Sequence, residues 1–138
     1  MTEHLFVYGT LRKGYDLKLM DKVSPLIRYV GQGKVNADLY DIGRYPGAIR
    51  SNRGPEVIGD VFKLSDPERV LKLLDKYEGI GRDKAAAEFV RRRSRVKLRS
   101  GQTVTAWVYW YNHEPAGKIR IKQKNYLNYL KNKRTHQA

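Results

Sequence analysis

Two short segments hold residues whose types and spacing could do chemistry. The first is Tyr8-Gly9-Thr10-Leu11-Arg12, which follows the apolar run Leu5-Phe6-Val7. A strand that runs into a glycine turn and then a helix can aim several backbone N–H groups at an anion. Gly9 lets a ligand approach the backbone closely, Thr10 adds a hydroxyl and Arg12 a cation. The same residues also fit an ordinary strand-to-helix turn. The second segment is Leu74-Asp75-Lys76-Tyr77-Glu78-Gly79. In the last turn of a helix the Glu78 carboxylate faces the negative end of the dipole, where Lys or Arg is more usual. That position, with partial burial, raises the pKa toward the range useful for moving protons. A solvated surface glutamate, costing roughly a few tenths of a kcal/mol, fits the same residues.

The elements that must position these segments follow from pattern. Residues 4–8 read as a strand, and residues 16–23 as a short helix ended by Ser24-Pro25. Strands are expected over 26–31 and 34–42 around a turn at Gly31-Gln32-Gly33. Tyr45-Pro46-Gly47 is a further turn, and strands 48–51 and 57–64 flank a hairpin link at Asn52-Arg53-Gly54-Pro55. Ser65-Asp66-Pro67 opens the clearest helix, with Val70, Leu73, Leu74 and Tyr77 on its apolar face and Gly79 as its stop. Residues 88–98 and 103–111 form a hairpin across Ser100-Gly101, and 121–133 a last helix with Tyr126, Leu127 and Leu130 on one side. The sum is an antiparallel-rich α+β domain of six or seven strands and two or three helices. Periodicity does not decide whether such a sheet closes.

Composition removes several classes of function. The chain has 138 residues, 41% hydrophobic and 30% charged, which suits one soluble domain. No apolar run approaches the roughly 20 residues that cross a bilayer, so no membrane partner is expected. Met1-Thr2-Glu3-His4 shows no signal peptide, and a cytoplasmic location is expected. The absence of cysteine excludes disulfides, thiolate metal sites and cysteine nucleophiles. His4, His113 and His136 lie far apart, so no metal is expected. Gly31-Gln32-Gly33 has Asn36 where a dinucleotide loop needs its third glycine, and neither a P-loop nor a Gly-x-Ser-x-Gly elbow is present.

The net charge of +14 is unevenly spread. Residues 1–88 carry 15 Lys/Arg against 13 Asp/Glu, a net of +2; residues 89–138 carry 13 against one, a net of +12. The excess sits in Arg91-Arg92-Arg93-Ser94-Arg95-Val96-Lys97 and in the tail from Lys118. Nonspecific attraction of nucleic acid is one reading; a solvated strand face and tail is the other.

Beyond these residue-level readings, an ordered set of blocks resembles the γ-glutamylcyclotransferase-like superfamily, in its γ-glutamylamine cyclotransferase and AIG2-like branch. The blocks are Phe6-Val7-Tyr8-Gly9-Thr10-Leu11-Arg12, Ala37-Asp38-Leu39-Tyr40-Asp41-Ile42-Gly43 with Tyr45-Pro46-Gly47, Val57-Ile58-Gly59-Asp60-Val61-Phe62, Leu74-Asp75-Lys76-Tyr77-Glu78-Gly79 and Ala106-Trp107-Val108-Tyr109-Trp110-Tyr111. They cover residues 5–112.

The resemblance implies a small mixed, mostly antiparallel β-barrel flanked by two or three helices. The domain is expected over 1–117; the basic helix or tail over 118–138 lies outside the resemblance and is expected to pack on the domain or extend from it. The resemblance further implies a small-molecule γ-glutamyl substrate, Glu78 as catalytic acid/base, Tyr8, Gly9, Thr10, Leu11 and Arg12 as the substrate loop, and no cofactor, in a monomer or homodimer. Two alternatives remain: a same-fold enzyme with the same motifs that removes a γ-glutamyl protecting group, and a non-catalytic domain that binds a metabolite or nucleic acid through the basic half. Tyr40, Tyr45, Tyr109 and Tyr111 are cavity candidates that most economically serve packing.

Overall fold

A computed structural model describes residues 2–9, 21–42, 46–77, 89–122, 124–126 and 128–131. In chain order these include β1 (His4–Val7), β2 (Ile27–Asp41), β3 (Pro46–Arg50), β4 (Glu56–Leu64), helix α1 (Pro67–Tyr77), β5 (Phe89–Leu98), β6 (Thr103–Tyr111) and β7 (Ile119–Ile121). A 3-10 turn at Ser24–Leu26 leads into β2.

Five strands close a ring. β2 pairs β4, β4 pairs β1, β1 pairs β6, β6 pairs β5, and β5 returns to β2 through Gly33↔Leu98 and Lys34↔Lys97. All of these pairings are antiparallel except β1–β6, which is parallel through His4↔Ala106 and Leu5↔Trp107. The expected small mixed, mostly antiparallel barrel is therefore what forms.

β2 is one 15-residue strand with a bulge between Tyr29 and Gly31, where two strands and a turn were expected. Glycine usually punctuates a strand, but here Gly33 faces Gly59 inside the ring. A Cβ on Gly33 would lie 2.7 Å from Val96 Cγ1, and one on Gly59 would lie 2.3 Å from the Val7 carbonyl oxygen. A five-stranded ring is narrow, so these positions make room for Phe6, Val61 and Val96. The expected hairpin at Asn52-Arg53-Gly54-Pro55 is also different: β3 and β4 both pair β2, β3 along Ala37–Asp41 and β4 along Ile27–Asn36.

Strand alternation sorts the apolar residues into two cores. Phe6, Tyr8, Val61, Val96, Val108 and Trp110 fill the ring. Leu5, Val7, Leu64, Phe89 and Tyr109 point outward and are covered by Val70, Leu71 and Leu74 of α1. Each fully buried large side chain contributes about 1.5–3 kcal/mol. α1 begins as expected: Asp66 accepts the Arg69 N–H at 3.3 Å, and Pro67 takes the first turn. Its buried stripe is Val70, Leu71 and Leu74, with Leu73 only partly covered.

The segment after residue 117 joins the core. Ile119–Ile121 is strand, where helix was expected from Ile121, because β2 has a free edge at Leu39–Asp41 for it to pair. Ile121 and Tyr126 are buried in the ring core, and the Lys124 carbonyl accepts the Ile58 N–H at 2.8 Å. Tyr126 stacks on Tyr129 at 6.1 Å, and the Tyr129 hydroxyl donates to Asp41 at 2.8 Å.

Burial, and then the hydrogen bond to the Asp41 carboxylate, push the Tyr129 hydroxyl up to about 12. A raised pKa in the folded state means stability that is present at lower pH and lost as pH climbs from about 10, the unfolded value, toward 12. Thermal melts between pH 9 and 12 should therefore fall less steeply in Tyr129→Phe than in the wild type.

Candidate functional site

The ends of β1, β3 and β6 meet at one rim of the ring. Because β1 runs parallel to β6, Tyr8 comes level with the C-terminal end of β6. Tyr8 is only 6% exposed. Its hydroxyl donates to the Tyr109 carbonyl at 2.6 Å and accepts the Ala48 N–H at 3.2 Å. Left unpaired inside an apolar core, such a group costs about 1–3 kcal/mol, so the phenol fixes three strands against one another. Tyr8 thus anchors the chain just past β1, its hydroxyl held by β6 and β3.

Gly9 sits directly above this anchor. A Cβ there would lie 2.9 Å from Pro46 Cγ and 3.0 Å from Pro46 Cδ, so the proline ring packs onto the glycine backbone. Gly47 is as closely approached, by Ile42 and Tyr111, each 2.9 Å from a Cβ placed on it. Tyr111 in turn packs edge-to-face with Phe89 at 5.9 Å and with His113 at 5.7 Å. The structure thereby brings Gly9 together with Pro46, from the segment that the sequence reads as a turn and as part of a family block, while Tyr45 itself lies outside the described residues. Thr10, Leu11, Arg12 and Glu78 lie outside the described residues.

The helix that leads to Glu78 is tied down on its last described turn. Asp75 accepts Arg91 Nε at 2.8 Å and Nη2 at 3.1 Å, a bidentate pair, and also the Tyr109 hydroxyl at 2.5 Å. Arg91 lies over the Trp107 ring, 4.4 Å from its centroid. Burial works to lower the Arg91 pKa, but the hydrogen bond and charge of Asp75 outweigh it and the net direction is upward. The cation also answers the dipole problem of a carboxylate in a helix's last turn. Arg91 is therefore no part of a merely solvated strand face, whereas Arg92, Arg93 and Arg95 are exposed.

Sequence reasoning missed Asp75 and Arg91 and left Tyr109 as packing. The available signal was Asp75 itself, a carboxylate near the expected C-terminal end of the helix, where the dipole disfavours negative charge. Its cation is 16 residues away on another element. Asp75→Ala is expected to lower the unfolding free energy by about 1–3 kcal/mol, and Tyr109→Phe by about 1 kcal/mol. A double-mutant cycle in urea should show the two effects coupled by at least roughly 0.5 kcal/mol. Additive effects would mean that the three groups do not act as one tether.

Among the described residues, no group of three or more His, Asp or Glu is placed to hold a metal ion. Nor is any of their helices long and apolar enough to cross a membrane.

The described residues thus form a closed five-stranded mixed barrel in which Gly9, just past β1, packs beside a rim of Pro46, Gly47 and Tyr111. The chain belongs to the γ-glutamyl cyclotransferase, AIG2-like family, whose model matches residues 5–128. That match runs beyond the blocks seen in the sequence and takes in β7 and Tyr126.

A Methanocaldococcus jannaschii protein, provisionally named a γ-glutamylcyclotransferase, is 28% identical over 133 residues, covering 92% of this chain and 98% of that protein. The crystal structure of a mouse AIG2-like protein superposes with a TM-score of 0.65 at 24% identity, over 82% of this chain and 80% of that one. An uncharacterised protein of Pyrococcus horikoshii gives a TM-score of 0.66 at 21% identity, over 99% of this chain and 100% of the other. At these identities the two structures share the fold.

Proposed function

We propose that the protein is a γ-glutamylcyclotransferase that converts a γ-glutamyl amide or amine to 5-oxoproline and releases the amine. The observation that carries this reading is the family match over residues 5–128, which spans both the segment after Tyr8 and the end of α1.

The substrate supplies its own nucleophile. Its α-amine can reach the γ-carbonyl carbon to close a five-membered ring, so attack is intramolecular and needs no covalent enzyme intermediate. Glu78 takes a proton from the α-ammonium, the freed amine adds to the γ-carbonyl, and the γ-amide C–N bond breaks as Glu78 returns a proton to the leaving nitrogen; the ring nitrogen gives up its second proton, which ends on the released amine as an ammonium. The backbone N–H groups of residues 8–12 hold the substrate carboxylate or the developing oxyanion. In this reading Tyr8 and the Gly9–Pro46 contact set where that loop leaves the barrel, while the Asp75–Arg91–Tyr109 tether sets where α1 delivers Glu78. No cofactor enters the scheme.

The test is a panel of γ-glutamyl amines and γ-glutamyl amino acids, read out as 5-oxoproline. Turnover of at least one member is expected. No product from any member sinks the reading; activity confined to a γ-glutamylated acyl substrate would favour the deprotecting enzyme instead.

A further inference from the structure

A second cleft lies along the same strand β3, away from the rim at Gly9. β5 pairs β2 only at Gly33 and Lys34, and β3 joins β2 only from Ala37 onward. In the interval the sheet is open, and a cleft of about 150 Å³ is lined by Val35, Asn36, Arg50, Asn52, Ser94, Arg95 and Trp110. From Pro46 to Arg50 is four residues along β3, about 13 Å at strand rise, so the Arg50 end of this cleft lies away from the Gly9 rim.

The geometry points to this cleft as a binding site for an oxyanion group, a phosphate or carboxylate carried by a small molecule. Three observations converge. First, the wall carries two guanidiniums, whose forked N–H groups match oxyanions, beside two carboxamides and a hydroxyl, with Val35 and Trp110 completing it and no carboxylate in it. Among the described residues neither Arg50 nor Arg95 forms an ion pair. Glu56, the carboxylate that faces Asn36 across β2–β4, is held by Lys34 at 2.5 Å and Lys124 at 3.7 Å.

Second, the wall is built before any ligand arrives. Asn36 Nδ2 donates to the Gly54 carbonyl at 3.0 Å, Ser51 N–H to the Asn36 carbonyl at 3.3 Å, and Ala37 N–H to the Pro55 carbonyl at 3.0 Å. A Cβ on Gly54 would meet Ser51 Cβ at 2.9 Å, so the turn carrying Asn52 is folded tightly on β2. The floor is equally fixed, by the buried Ser94 hydroxyl accepting the Trp110 indole N–H at 3.2 Å. Third, the volume is below the roughly 300–1,000 Å³ of sites that enclose a whole drug-sized ligand. It suits one charged group.

The test uses the full ¹⁵N-labelled chain at constant ionic strength, titrated in separate arms with orthophosphate and with succinate. The Trp110 indole resonance should shift and saturate at millimolar ligand in at least one arm, and the arm that does so identifies the oxyanion. The Trp107 indole, which donates to the Thr2 carbonyl at 3.3 Å, should stay in place. Arg50→Gln and Arg95→Gln, both at exposed positions, should each weaken the binding by at least tenfold with unchanged thermal melts. A shift that never saturates in either arm, or one that persists unchanged in the double variant, overturns the proposal. The cyclisation assay reads the other site, so failure here leaves that reading intact.

Discussion

Glu78→Gln is expected to keep the folded barrel and to lower 5-oxoproline release by about 10²–10⁴-fold, the usual share of a positioned proton-transfer group. The amide has nearly the same shape as the carboxylate and differs in having no basic oxygen. Folding should survive because the tether that holds α1 is made by Asp75, Arg91 and Tyr109, none of which is altered. The measurement is kcat and kcat/KM on the best substrate of the panel, with circular dichroism and melting temperature as the folding control. A loss confined to kcat, with KM little changed, is what a proton shuttle gives. Glu78→Asp should recover part of the rate at a shifted pH dependence. Full activity in Glu78→Gln would remove Glu78 from the mechanism and leave the fold assignment intact.

What could be read from the sequence divides along physical lines. Local signals were legible: the Asp66-Pro67 start of α1, the β5–β6 hairpin across Ser100-Gly101, and the alternation of Ala106, Val108 and Trp110 against Trp107 and Tyr109. These depend on neighbours in the chain. The parallel β1–β6 pairing was not legible, because it joins residues about 100 positions apart with no turn between them to announce it. Gly31-Gln32-Gly33 misled for a related reason. A glycine needed for a turn and a glycine needed because another strand lies against it look alike until the partner strand is known. The tyrosines behaved the same way: Tyr8, read as the first residue of the substrate loop, is the buried anchor of three strands, and Tyr109, left as packing, is part of a charged tether. Around the candidate site, contiguous segments could be read from the chain, while contacts between elements could not. Asp75 and Arg91 need the third dimension to find each other, whereas the Tyr8-Gly9 turn is contiguous.

Alanine at Gly33 or Gly59, which face each other across β2 and β4, tests why these positions are glycine. A Cβ at Gly59 would sit 2.3 Å from the Val7 carbonyl oxygen and 2.6 Å from Phe6 Cζ. The carbonyl belongs to β1, hydrogen-bonded to β4 through Val7↔Asp60, so it cannot swing aside as a side chain can. Gly59→Ala should therefore force β1 off β4 and cost about 3 kcal/mol or more, at or beyond the usual range for overpacking. For a chain of this size that is a drop of roughly 10–15 °C in melting temperature.

At Gly33 the nearest atoms to a Cβ are methyl carbons of Val96 and Val61, at 2.7 and 2.9 Å, which can shift by small torsions. Gly33→Ala should consequently be the milder of the two, by at least about 1 kcal/mol. Pairing Gly59→Ala with Phe6→Leu separates the causes: the smaller side chain removes the ring contact but leaves the carbonyl in place, so rescue should be partial at most. Complete rescue would assign the clash to the ring alone. The displaced end of β1 is the stretch that leads into Tyr8 and Gly9, so Gly59→Ala should also lower 5-oxoproline release at temperatures well below its melt. Equal melting temperatures for the two alanine variants would refute the account of β1 held against Gly59 by its backbone.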